Sequence, residues 1–229
     1  MPIHRALRSW WCGRATAALL VLAFGIPVAA QELLPPGAGF MTRFSGATSE
    51  SSDDGTRTTV IDVDGASGLA LDLAHPGRAP DGSPWRYPPE LFRVTAAETG
   101  QVFGIALDDA SPPNIYLTAT SAFGLHRNAD GWLAGMWGEG GGPGTVYRLT
   151  SNDDYQASVF AQVTLEGRAN SGAALGNIAY DRWHEQLFVS DLETGMIHRL
   201  RRADGFDLGS YDHGGTGRTD FLDATTGTR

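Results

Sequence analysis

The chain contains no lysine: all seventeen of its basic residues are arginine. Schiff-base chemistry and a lysine general base are therefore excluded, although the bland source of such a bias is a GC-rich genome. The only cysteine, Cys12, lies near the N-terminus. The chain beyond it forms no intramolecular disulfide even in an oxidising compartment, and hydrophobic burial must hold it together. A bilayer-spanning run is also missing. The longest apolar stretch, Ala15 to Ala30, has about 16 residues and is broken by Gly25 and Pro27, short of the roughly 20 that a span requires. No Gly-x-Ser-x-Gly nucleophile elbow occurs. The Gly140-Gly141-Gly142-Pro143-Gly144 run has no lysine after it and no strand-to-helix setting, so it reads as a hinge and not as a phosphate loop.

Arg5, Arg8 and Arg14 precede that apolar stretch, which ends in Val28-Ala29-Ala30. This is the layout of a secretory signal peptide over residues 1–30 with a small-residue cleavage site. The expectation is export to the periplasm or beyond, with mature protein from near Gln31 and no stable membrane span after signal removal. Cys12 stands before the apolar region and so is not a lipidation site. The formal charge of −9 becomes −12 once the three signal arginines are gone. Nucleic acid is not an expected partner, because binding it needs a clustered basic surface.

Residues 31–98 are rich in Pro, Gly, Ser, Asp and Thr, with two strand-like runs, Gly39 to Ser45 and Thr58 to Val63, the latter followed by an Asp64-Gly65 turn. Gly77 to Pro89 carries four prolines, which exclude a helix or central strand and predict a surface crossing.

Residues 99–214 repeat themselves. Gly104-Ile105-Ala106-Leu107-Asp108 and Ile115-Tyr116-Leu117 return as Asn177-Ile178-Ala179-Tyr180-Asp181 and Leu187-Phe188-Val189. Gly144-Thr145-Val146-Tyr147-Arg148-Leu149 returns as Gly195-Met196-Ile197-His198-Arg199-Leu200. The first two matches are offset by 73 and 72 residues and the third by 51, so the first copy carries an insertion over residues 121–143. On this alignment the echo between His126 and His198 is coincidental. Without the insertion each copy has about 40 residues, a usual propeller-blade length. Each parses into four strands: Val102 to Leu107, Ile115 to Thr120, Thr145 to Thr150 and Ser158 to Thr164; then Ala174 to Tyr180, Gln186 to Ser190, Met196 to Arg201 and Leu208 to Tyr211. The predicted fold is all-β, an incomplete β-propeller of four-stranded antiparallel blades, with a partial blade contributed by Gly39 to Val63. Closed propellers use about four to eight blades. A longer reading frame, blades from another chain, and an open stack are the three ways to account for the shortfall. Residues 215–229 read as a polar tail.

The segments Gly176-Asn177-Ile178-Ala179-Tyr180-Asp181, Gln186-Leu187-Phe188-Val189-Ser190-Asp191 and Gly195-Met196-Ile197-His198-Arg199 resemble blades of the six-bladed, calcium-dependent-phosphotriesterase-like propellers, which include the gluconolactonase and NHL-repeat families. The chain also looks like exported proteobacterial proteins with Gly-Gln-Val-Phe-Gly and Gly-Met-Ile-His-Arg segments. The resemblance covers about half the chain. It implies a divalent metal, calcium, in a central channel, with Asn170, Asn177 and Asp191 as ligands, and a lactonase- or esterase-type hydrolase as the alternative function. Gly176 stands where the family has its ligand asparagine, and Asn177 follows one place later. Moving one place along a strand turns a side chain to the opposite face.

Read without the resemblance, the chain points to a binding module. In a propeller the connection from strand four to the next strand one and the turn between strands two and three gather on one face. Here that face collects Gly167 to Ala173, Asp191 to Thr194 and the insertion. The insertion brings Phe123, His126, Trp132 and Trp137 beside glycine hinges, an arrangement suited to capturing a ligand or to packing over the mouth. Asn170 and Ser171 join them, and the expected partner is a small molecule or a protein. Asp108 and Asp181 read as turn caps, and His184, His198 and His213 show no metal-ligand spacing. A degenerate fragment without function is the third reading.

Overall fold

The computed structural model describes residues 33–79, 81–82, 88–121, 127–128 and 131–213. The expected signal segment, the tail, Phe123 and His126 lie outside the described residues.

Five strands come first: β1 (Ala38–Thr42), β2 (Ala47–Ser51), β3 (Arg57–Ile61), β4 (Ala66–Asp72) and β5 (Glu90–Thr95). Strands β1, β4 and β5 form an antiparallel sheet with β4 in the middle, and β2 and β3 form a separate hairpin. The sequence predicted two of these five. Strand β4, Ala-Ser-Gly-Leu-Ala-Leu-Asp, has the small residues that weaken a strand signal, and β5 follows a proline run. A one-turn helix, α1 (Ala96–Thr99), leads onward, its start held by the Glu98 carboxylate accepting from Thr95 N at 2.8 Å.

Two four-stranded antiparallel meanders follow. The first comprises β6 (Val102–Leu107), β7 (Ile115–Ala119), β10 (Thr145–Leu149) and β11 (Ala157–Gln162); the second comprises β14 (Leu175–Asp181), β15 (Gln186–Asp191), β16 (Ile197–Arg201) and β17 (Asp207–Tyr211). Small hairpins occupy the connections: β8 (Arg127–Asn128) with β9 (Gly131–Trp132), and β12 (Thr164–Leu165) with β13 (Arg168–Ala169). The eight strands fall within a residue or two of the predicted ones. The chain is therefore all-β, built from antiparallel sheets of two to four strands, none of them closed.

The meanders agree in detail. Each has a bulge at the same place in its first pair, between Val102 and Ile105 in one and Leu175 and Ile178 in the other. At that bulge Gly104 N donates to Thr118 Oγ1 at 3.0 Å, and Asn177 N donates to Ser190 Oγ at 2.9 Å. Alternation along the strands gives each sheet two packing faces. Ile115, Leu117, Ala119, Tyr147 and Leu149 face the first sheet, meeting Ala70 and Val94 with Phe40 and Phe92 in one core. Ala106, Tyr116 and Val146, on the other face, meet Leu175, Ile178, Leu187, Val189 and Leu200 of the second meander. The three sheets thus stack in chain order with two cores between them.

The described part of the insertion is anchored to the body at Leu133, Met136 and Gly138. Met136 is buried with Ile61, Ala96 and Leu133, and Trp132 and Trp137 border that cluster. Its backbone is tied down by Gln101 N to Met136 O at 2.9 Å and Ile61 N to Ala134 O at 2.9 Å. A Cβ on Gly138 would come within 2.2 Å of Glu98 O, so glycine is required by that close approach.

Candidate binding face

The turn after β15 and the loop before β14 are latched by buried polar groups. The Asp191 carboxylate accepts from Asn170 Nδ2 at 2.8 Å, from Glu193 N at 3.0 Å and from Thr194 Oγ1 at 2.8 Å. Asn170 Oδ1 in turn accepts from Gly172 N at 3.0 Å and Ala174 N at 2.9 Å, an Asx-type arrangement that shapes its own loop. Glu193 accepts from Ser171 N through Oε2 and pairs with Arg168 Nη2 at 2.9 Å through Oε1. Asp191, Glu193 and Thr194 are all buried, so these bonds replace water that the carboxylates have lost. Behind the latch, His198 is buried, with Nδ1 2.8 Å from Asp207 Oδ2 and Nε2 4.0 Å from Asp191 Oδ2.

The insertion reaches the same end of the stack. Ser121 Oγ donates to Ala173 O at 2.8 Å, Thr120 bridges Ala174, and the Trp132 Nε1 lies where a Cβ on Gly172 would be. Trp132 packs edge-on against Trp137, with ring centroids 5.9 Å apart, and the Arg127 guanidinium sits 5.3 Å from the Trp132 ring centre.

The candidate residues therefore separate into groups. Asn170, Ser171 and Asp191 come together in the latch, and Trp132 borders it through Gly172. Trp137 is half-buried, bridging Gly100 and packing into the body. Asn177 is exposed, and its Oδ1 accepts from Ile178 N at 2.9 Å while Gly176 lies buried against Ser190. Of the metal set implied by the resemblance, Asn170 and Asp191 are neighbours and Asn177 is directed elsewhere. No group of three or more His, Cys, Asp or Glu side chains among the described residues is arranged to hold a metal ion. Sequence reasoning placed Arg168, Glu193 and Thr194 on the loop face only as parts of segments, without a role, and set His198 aside. The Asp-x-Glu-Thr-Gly spacing was the available signal, since an aspartate followed by a short polar turn often binds its own backbone.

The opposite end has different chemistry. Asp108 is buried in the β6–β7 turn and accepts from Asn114 N at 2.8 Å, Asn114 Nδ2 at 2.7 Å, Ala110 N at 3.1 Å and Arg202 Nη1 at 3.3 Å. Burial pushes its carboxyl up, but these bonds together outweigh burial and the net displacement is downward. Asp181 holds the equivalent β14–β15 turn through Trp183 N and Gln186 Nε2, and the bond from His184 is the main cause of its carboxyl lying at about 2. A cleft of about 240 Å³, lined by Leu34, Pro35, Leu107, Ser111, Pro112 and Pro113 among others, opens beside the Asp108 turn.

Fold and site together define a stacked antiparallel all-β protein with a polar, loop-built face at one end. Comparison with protein-family models, with curated proteins and with solved structures finds no match. No helix among the described residues is long and apolar enough to cross a membrane.

Proposed function

We propose that the chain is an exported propeller-type module that binds a small molecule or a protein on the loop face around Trp132, Asn170 and Ser171. One observation carries this reading: the loop before β14 is held by the buried carboxylates Asp191 and Glu193 of the turn after β15, and the insertion meets that loop at Gly172 and Ala173. A rigid scaffold presenting shaped loops is how binding sites are commonly made. The exposed members of that end are Ser171, Arg168 and Arg127, with the Trp132 indole half-buried beside them, a set that suits a polar ligand with one apolar face.

Export rests on the charged, apolar and small-residue pattern of residues 1–30. The reading is tested by melting temperature and tryptophan emission against monosaccharides and sugar lactones, with Trp132→Ala as control. A rise in Tm that the variant loses, with no product formed, supports a binding module. The alternative, a metal-dependent lactonase, rests on the resemblance to propeller blades; the Asn170 amide oxygen and the Asp191 carboxylate already accept other donors, so the pair as it stands does not fit a metal. That alternative requires millimolar calcium to raise the Tm, since an ion bound only by the native state stabilises it. Lactone hydrolysis lost on calcium removal would replace the binding reading.

A further inference from the structure

The second meander repeats, residue for residue, a packing face that the first meander keeps covered. In the first, one row across three strands is Ala106, Tyr116 and Arg148, and the next is Thr118 and Val146. In the second, the corresponding rows are Ala179, Phe188 and Arg199, then Ser190 and Ile197. Tyr116, Thr118 and Val146 are fully buried because β14–β17 lies over them. Ala179 is exposed and Phe188, Ser190 and Ile197 are half-buried, and neither Phe188 nor Ile197 belongs to a core of the described residues.

The stack also has a direction. In both cores the later sheet presents the same face to the sheet before it, with Ile115 and Leu117 in one and their repeat counterparts Leu187 and Val189 in the other. The sheet that would cover Phe188 and Ile197 must therefore present a face of that kind. The chain carries one uncovered at its other end. On the sheet of β1, β4 and β5, Met41 pairs with Leu69, and Leu69 with Arg93. Met41 is 46% exposed, and Leu69 and Leu71 are half-buried outside every core of the described residues. The other face of the same sheet, with Phe40, Ala70, Phe92 and Val94, is already used.

We infer that a second copy of this chain covers the Ala179, Phe188 and Ile197 face with its own Met41, Leu69 and Leu71 face. The first copy's free face meets the second copy in the same way, so two identical head-to-tail contacts close a two-fold dimer. Each copy supplies three sheets of three or four strands. The pair brings twice that number, within the about four to eight that close a propeller ring. The inference rests on the propeller-type reading and names its partner.

The test is the solution mass of the full chain as isolated, by light scattering and sedimentation from about 1 to 100 µM, against the mass of one chain by mass spectrometry. Twice the single-chain mass is expected. Ala179→Arg and Met41→Arg change residues that are exposed in the single chain, so both variants should keep the strand signal in circular dichroism while their dissociation constants rise at least 100-fold. Phe188→Arg provides a second variant on the same face as Ala179. Mixing Ala179→Arg with Met41→Arg chains should restore part of the dimer, because one of the two contacts is then intact. A monomeric wild type at 100 µM overturns the pairing, as does a dimer untouched by Met41→Arg, which would mean contact through the Phe188 face alone. Either result leaves the loop-face reading to be decided by its ligand screen, so the two failures are distinguishable.

Discussion

The two four-stranded meanders share strand order, register and a bulge, yet they differ at two aligned positions with opposite chemistry. Where the first has Ala119 and Tyr147, both fully buried in an apolar core, the second has Asp191 and His198. In the first sheet the strand end is sealed by packing, and Gly138 N donates to the Tyr147 hydroxyl at 3.1 Å. In the second the same end organises loops by hydrogen bonds to Asp191. One scaffold thus serves as a core layer in one copy and as the support of a polar face in the other. The backbone places both positions at the same end of the stack, where the insertion covers Tyr147 in the first meander and the Asp191 turn organises the loop in the second.

Exchanging these chemistries should have the largest effect. Ala119→Asp places a carboxylate in an apolar core with no partner and is expected to cost on the order of 4 kcal/mol or more, enough to prevent cooperative unfolding from being seen by urea denaturation. Tyr116→Ala, at a fully buried position, should cost about 4 kcal/mol in the same assay. Asp191→Ala should cost about 3 kcal/mol by stranding three donors, and should loosen hydrogen exchange at Ser171, Gly172 and Ala174. Equal stability of the Ala119→Asp and Asp191→Ala variants would show that the two strand ends are not the distinct environments described here.

Smaller effects sharpen the contrast between the covered and uncovered faces. Phe188→Ala, the counterpart of Tyr116→Ala, should cost about 1 kcal/mol or less in the single chain, since its face lacks an overlying sheet. A larger loss that grows with protein concentration would mark the dimer contact. The smallest effect concerns pH. The folded values of Asp108 and Asp181 both lie below the ordinary carboxylate range, so their bonds stabilise the fold above about pH 4 and are lost as pH falls through the folded values, near 2 for Asp181. Carboxyl carbon titration by NMR should place both below their unfolded values, and His184→Ala should move Asp181 upward while leaving Asp108 in place.

Much of the fold was legible because the chain repeats its strand segments and its turns have distinctive residues, whereas alternation is weak in strands such as Ile115–Ala119 that are buried on both faces. Thr145 to Leu149 and Gln186 to Asp191 are rich in β-branched or aromatic side chains, and Asp108 and Asp181 close their hairpins by local bonds that sequence spacing already predicts. Strand β4 was not legible, because Ala66 and Gly68 carry little strand preference and gain their place only by pairing with residues far along the chain, and β5 was hidden by the proline run before it. The site was half legible. Position within the repeat marked Asn170, Ser171 and Asn177, of which Asn177 turns away, and the role of Glu193 depends on Arg168 and Ser171, more than twenty residues away.

The sequence by itself determined an all-β chain of two matched four-stranded units, since strand-like composition and turn chemistry are local properties and internal repetition shows that they recur. Tertiary structure decided which faces are buried, that the insertion packs against residues 97–101, and that Asp191 binds Asn170 while Asn177 turns away. Those outcomes depend on the order in which sheets stack and on desolvation between them, and both arise only when distant segments meet.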